Sequence, residues 1–145
     1  MKTRIHAAAG MIGFVTILLF WTSTAGAELF ATDAVVTSVK SLIVLGLGVL
    51  VPCMVIVGAT GMSLAGDRSD TLVMRKKKKM PFIALNGILI LVPSALFLSS
   101  KAGAGEFDPV FYTVQGLELV AGAVNLVLMA TNIRDGLKMT GRLAR

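Results

Sequence analysis

The sequence predicts an all-α, polytopic membrane protein: four transmembrane helices in an antiparallel up-down bundle, one domain over residues 1–145, both termini cytoplasmic. Three observations predict it. Hydrophobic residues make up 55% of the chain and charged residues only 15%, whereas a soluble domain carries about 25% charged residues. Such hydrophobicity also excludes intrinsic disorder. The apolar residues gather in four blocks, each about long enough to cross a bilayer. Finally, 12 of the 14 basic residues fall on one side of those blocks, and an excess of Lys and Arg marks the cytoplasmic face.

The first block predicts helix 1 over about residues 6–27. Lys2, Arg4, the apolar stretch and Ala25-Gly26-Ala27 imitate a cleavable signal peptide. The block is of spanning length, however, and is expected to be retained. Helix 2 is predicted over 34–61, longer than a minimal span, with Pro52 a cause for a bend. Helix 3 is predicted over 80–100, with Pro81 in its first turn and Pro93 a late kink. Helix 4 is predicted over 109–132, with Asp108 as its cap and Pro109 in its first turn. Short connections make sequential helices antiparallel.

The basic residues fix the predicted orientation. Lys2 and Arg4, then Arg68 and Arg75 to Lys79 in a cytoplasmic loop over 66–79, then Arg134, Lys138, Arg142 and Arg145 share one side. Glu28, Asp33, Lys101, Glu106 and Asp108 hold the other. The net charge of +6 therefore sits beside helices, where it reports orientation rather than a nucleic-acid partner. The run Arg75–Lys79 is also a candidate contact for anionic lipid. One cysteine, Cys53, excludes an intrachain disulfide and a cysteine-built zinc or iron–sulfur site. There is no phosphate-binding glycine loop, no metalloprotease histidine pair and no serine elbow, so no enzyme class is assigned. Glycines at 10, 13, 46, 48, 58, 61, 116 and 122 suit close helix packing.

Polar residues inside apolar blocks carry the functional signal. Glu118 lies ten residues past Asp108, about 15 Å along a helix and so near the middle of a core roughly 30 Å thick. A carboxylate there needs a partner. Gln115, Glu118, Gly122, Asn125 and Asn132 recur at helical spacing and form one polar face. Lys40 lies seven residues past Asp33, at comparable depth, and is the predicted partner of Glu118. The alternatives are a snorkelling Lys40 and a purely structural pair. On the inner half, Asn86 and Asn125 sit at similar depths and suit interhelical hydrogen bonds.

His6 is the only histidine. Gly10 and Gly13 follow it at helical spacing, a cleared face on which a flat macrocycle could lie. Phe14 and Trp21 continue that side. Haem iron takes a proximal histidine, so His6 is a candidate axial ligand of haem b, with Asn86 and Asn125 orienting the group.

Several segments resemble a family of small four-helix bacterial inner-membrane proteins of unknown function. They are His6 with Gly10, Phe20-Trp21-Thr22-Ser23-Thr24, Met80 to Gly87, Phe111 to Leu119, and Asn132 to Lys138. The resemblance implies a four-helix fold in the bacterial inner membrane and no activity. The residues themselves point first to a haem b-binding membrane protein in electron transfer or redox sensing. Two alternatives stay open: a small transporter or proton-coupled protein using Glu118, and an accessory or scaffold subunit. A homo-oligomer or a larger membrane complex is expected in each.

Overall fold

The computed structural model describes residues 1–66 and 71–141, apart from the side chains of Leu72 and Lys76. Arg68, Arg142 and Arg145 of the basic set therefore lie outside the described residues. Helix α1 runs Lys2–Phe30 and α2 runs Asp33–Ala65. A third span is built from α3 (Thr71–Asn86), a π-helical turn (Gly87–Leu91) and α4 (Val92–Gly103). Helix α5 runs Pro109–Met139. All four spans are long and apolar enough to cross a membrane.

Each helix runs past its apolar block. Hydrocarbon thickness sets only the apolar length, while Lys, Arg, Glu and Met are good helix formers beyond it. The clearest case is 71–79, predicted as loop, which forms the first turns of α3. Pro81 therefore sits inside that helix rather than in its first turn. Gly66 ends α2 at φ 42° and Gly105 turns the α4–α5 link at φ 72°, backbone conformations that favour glycine. At the start of α5 the Asp108 carboxylate accepts the Phe111 N–H at 2.8 Å, and Pro109 fills the first position.

The spans alternate in direction, so the start of α1 and the end of α5 lie at one end. Lys2 Nζ reaches Ser63 Oγ at 3.3 Å and Lys79 Nζ reaches Asp135 Oδ2 at 3.1 Å at that end. At the other end the Thr37 hydroxyl donates to Ala102 O at 3.1 Å. Around the bundle, α1 packs on α2 and α5, and the third span also packs on α2 and α5. Helices α2 and α5 thus face each other across a diagonal.

Two apolar clusters build the core. Ala27, Val36, Leu98, Ala102 and Phe111 form one. Ile17, Leu50, Ile83 and Met129 form the other. Between them, in chain order along α1, α2 and α5, lies a layer holding Thr24, Lys40, Gln115 and Asn125, all buried. The outer surface is apolar: Leu42, Leu45, Ile88, Leu89, Val120 and Val127 are all exposed.

The π turn has a local cause. Pro93 has no N–H to return to Leu89, and the Val92 N–H bonds five residues back, to Gly87 O. The third span widens there, at the level of the polar layer. Among the described residues, α2 packs against α3 and α4, but no Cα of α2 comes within 8 Å of the π turn.

Candidate functional site

The centre of the polar layer is an ion pair across the bundle diagonal. Lys40 Nζ of α2 lies 2.7 Å from Glu118 Oε2 of α5. Lys40 is 1% exposed and Glu118 is 12% exposed. Gln115 Nε2, one turn earlier on α5, donates to the same Glu118 oxygen at 3.1 Å. A long side chain is needed because the diagonal helices are not backbone neighbours. Glu28, near the end of α1, is within electrostatic reach of both Lys40 and Glu118. Its Oε1 is buried with no hydrogen-bond partner among the described residues. Sequence reasoning counted Glu28 only as an outer-side charge; its place two turns past Trp21 on α1 is the signal that could have found it.

Beside the pair lies a cavity of about 200 Å³. Its wall is mostly aliphatic and aromatic, from Phe20 and Trp21 of α1, Ile43 and Leu47 of α2, Ala84 of α3, and Leu91 of the π turn. Two strongly polar side chains reach it, Glu118 and Asn125. Asn125 is 0% exposed, and neither its Oδ1 nor its Nδ2 has a hydrogen-bond partner among the described residues. A buried amide with both ends unpaired is uncommon in a folded protein. Val51, Val55 and Ile88 line the cavity and are also exposed on the outer face. The cavity therefore opens sideways, through the gap between α2 and the π turn.

Trp21 shapes one wall. Its Nε1–H donates to Leu119 O at 2.8 Å, and its ring lies over Gly122, where an added Cβ would come within 2.9 Å of Trp21 Cδ1. Gly46 similarly leaves room for the Phe20 ring.

The residues grouped around His6 are distributed differently. His6 Nδ1 is 3.0 Å from Thr60 Oγ1 on α2. The Thr60 hydroxyl is also within hydrogen-bond distance of Ile56 O. Gly10 faces Val57, and Gly13 faces Met54, Cys53 and Leu50, all at ordinary contact distances of 3.8–3.9 Å. The side of α1 that carries Gly10 and Gly13 thus packs against α2. Asn86 Nδ2 donates to Ala121 O at 2.8 Å and lines a shallow surface groove with Lys78, Lys79 and Phe82. Asn125 belongs to the central cavity. The five residues gathered for haem b lie in three places. Among the described residues, no group of three or more His, Cys, Asp or Glu side chains is placed to hold a metal. Asn132, two turns past Asn125, is half-buried with an unpartnered Oδ1.

At the far end, Lys101 Nζ bridges Glu106 Oε2 at 2.9 Å and Asp108 Oδ2 at 2.6 Å. The Lys101 hydrogen bond, then the Phe111 N–H, hold the Asp108 carboxyl below the usual aspartate range.

In comparisons with known proteins, no family model, no curated protein and no solved structure matches this chain.

Proposed function

We propose that this chain is a multi-pass protein of the bacterial inner membrane, with cytoplasmic termini, that binds a lipophilic small molecule taken sideways from the bilayer. The observation that carries this reading is the cavity of about 200 Å³ with the unpaired Asn125 amide in its wall. Ligand pockets are concave and mostly apolar, with a few placed polar groups that fix orientation. The charge distribution supports the orientation, since Lys and Arg excess marks the cytoplasmic side. A lateral mouth between α2 and the π turn suits a ligand dissolved in lipid.

Trp21 is the only tryptophan and it lines the cavity, so its fluorescence reports occupancy. Bromodecane titrated into the protein in lipid nanodiscs will quench Trp21 along a saturating curve. Quenching that rises without saturation, equal to that of a tryptophan in bare lipid, overturns the reading.

A second reading has one specific observation behind it. The Lys40–Glu118 pair crosses the bundle where a proton-coupled carrier would place its titrating group. Proteoliposome flux that is abolished by Glu118→Gln would favour it. The mostly apolar cavity wall favours ligand binding over a wet ion path.

A further inference from the structure

We infer that the cavity takes a single six-membered ring bearing hydroxyls at its two opposite ends, the head of a hydroquinone, with its apolar tail leaving through the lateral mouth. The inference rests on the lipophilic-ligand reading above and names its ligand class.

Size comes first. A cavity of about 150 Å³ lined by apolar side chains holds benzene. This cavity, at about 200 Å³, has room for one ring and small substituents. A tail must therefore lie outside, and the exposed side chains of Val51, Val55 and Ile88 at the mouth provide an apolar bed for it.

Polar spacing comes second. Glu118 and Asn125 are seven residues apart on one helix face, about 10.5 Å along the axis at 1.5 Å per residue. Both side chains lean the same way along α5, so their polar ends keep about that separation. Two hydrogen bonds of about 2.8 Å each leave about 5 Å between the ligand's own polar atoms. Two oxygens placed para on a six-membered ring meet that span. A fatty acid or an alcohol has one polar end and would leave the other protein group unanswered.

Polarity comes third. The Glu118 carboxylate is held in a salt bridge and accepts hydrogen bonds. It calls for an O–H at its end of the ring. Asn125 offers both a donor and an acceptor, so it accommodates a hydroxyl in either sense. A hydroquinone satisfies both ends. The oxidised quinone has only acceptors and would set a carbonyl oxygen against the carboxylate, so the site discriminates in favour of the reduced form. Trp21 and Phe20 supply aromatic faces for the ring.

The test uses the whole protein in nanodiscs and reads Trp21. Bromodecane provides the quenching signal, and competitors are scored by how far they relieve it. Decylhydroquinone, kept reduced under nitrogen, is expected to displace bromodecane with an equimolar end point. Decylbenzene, with the same ring and tail but no hydroxyls, is expected to bind about thirtyfold more weakly, the difference carried by two net buried hydrogen bonds. Decylquinone, read by its own direct quenching, is expected to bind more weakly than the reduced form. Asn125→Leu, which keeps the side-chain volume, is expected to bring decylhydroquinone part of the way to the decylbenzene level, since the hydrogen bond to Glu118 remains, while bromodecane still saturates. Equal affinities for decylhydroquinone and decylbenzene in the unmodified protein overturn the ligand class, with no variant required. In that case a saturating bromodecane curve leaves the lipophilic-ligand reading standing. Failure of bromodecane to saturate removes both.

Discussion

Replacing Lys40 by methionine keeps most of the length of the side chain and removes its charge. At 2.7 Å from Glu118, an ammonium and a carboxylate attract by about 6 kcal/mol at an effective dielectric constant of about 20. Desolvation offsets most of that in the intact pair. The loss of one partner is not offset, because the other stays buried, and removing one member of a buried pair typically costs about 3–5 kcal/mol. Lys40→Met should fall in that range, since it strands Glu118 and leaves Glu28 without its nearby cation. Glu118→Gln should be milder, about 1–3 kcal/mol, because Lys40 keeps Glu28 within electrostatic reach and the new amide still accepts from the ammonium. The double variant removes both charges of the pair and should cost well under the sum of the two singles. Unfolding in mixed micelles by rising sodium dodecyl sulfate, followed by helical circular dichroism, gives the three differences and their coupling. Lys40→Met within about 1 kcal/mol of the unmodified protein, or strict additivity in the double variant, would refute the assignment of an energetically coupled buried pair.

Other outcomes follow from the same geometry. Asn125→Leu should stabilise the empty protein by about 1–3 kcal/mol in the same micellar titration, because it replaces a buried amide with two unpaired polar ends; destabilisation would mean that the amide is already satisfied. Gly122→Ala should cost about 1–3 kcal/mol and shift the Trp21 emission, since the new Cβ meets an indole pinned by its bond to Leu119 O; an unchanged emission maximum would contradict the contact. Asp108 has a depressed folded pKa. The stability it contributes is therefore present above the ordinary aspartate value of about 3.9 and is lost as pH falls through its lower folded value. Thermal unfolding scanned downward from about pH 4 should show that loss in the unmodified protein and less of it in Asp108→Ala. Protein purified from haem-replete cells tests the haem reading: a stoichiometric Soret band lost in His6→Ala supports it, and a colourless protein ends it.

The depths of the polar residues were legible in the sequence, but their directions were only partly so. Asp33 and Asp108 begin helices from the same end, so a fixed rise per residue puts Lys40 and Glu118 at comparable levels, and they lie 2.7 Å apart. The helical spacing of Gln115, Glu118 and Asn125 likewise places them on one face of α5. Direction fails over longer runs. Trp21 comes 15 positions after His6, and 15 residues at 3.6 per turn leave a drift of about 60°. That drift carries α1 from a face on α2, at His6, to a face on α5, at Trp21, and it separates the groups assembled around a haem. The cavity was not legible at all. It depends on the π turn, which arises where Pro93 cannot return a hydrogen bond, and on a mouth that exists only because α2 packs on either side of that turn. Pro93 was visible as a possible kink, but a kink and a widened turn differ in what they open. The unpaired Asn125 amide is what makes the difference functional: in a merely bent helix an interhelical partner would satisfy it, as Ala121 O satisfies Asn86. In the widened span the space beside it faces apolar walls, and a polar group left there is answered most simply by a ligand that brings its own oxygen.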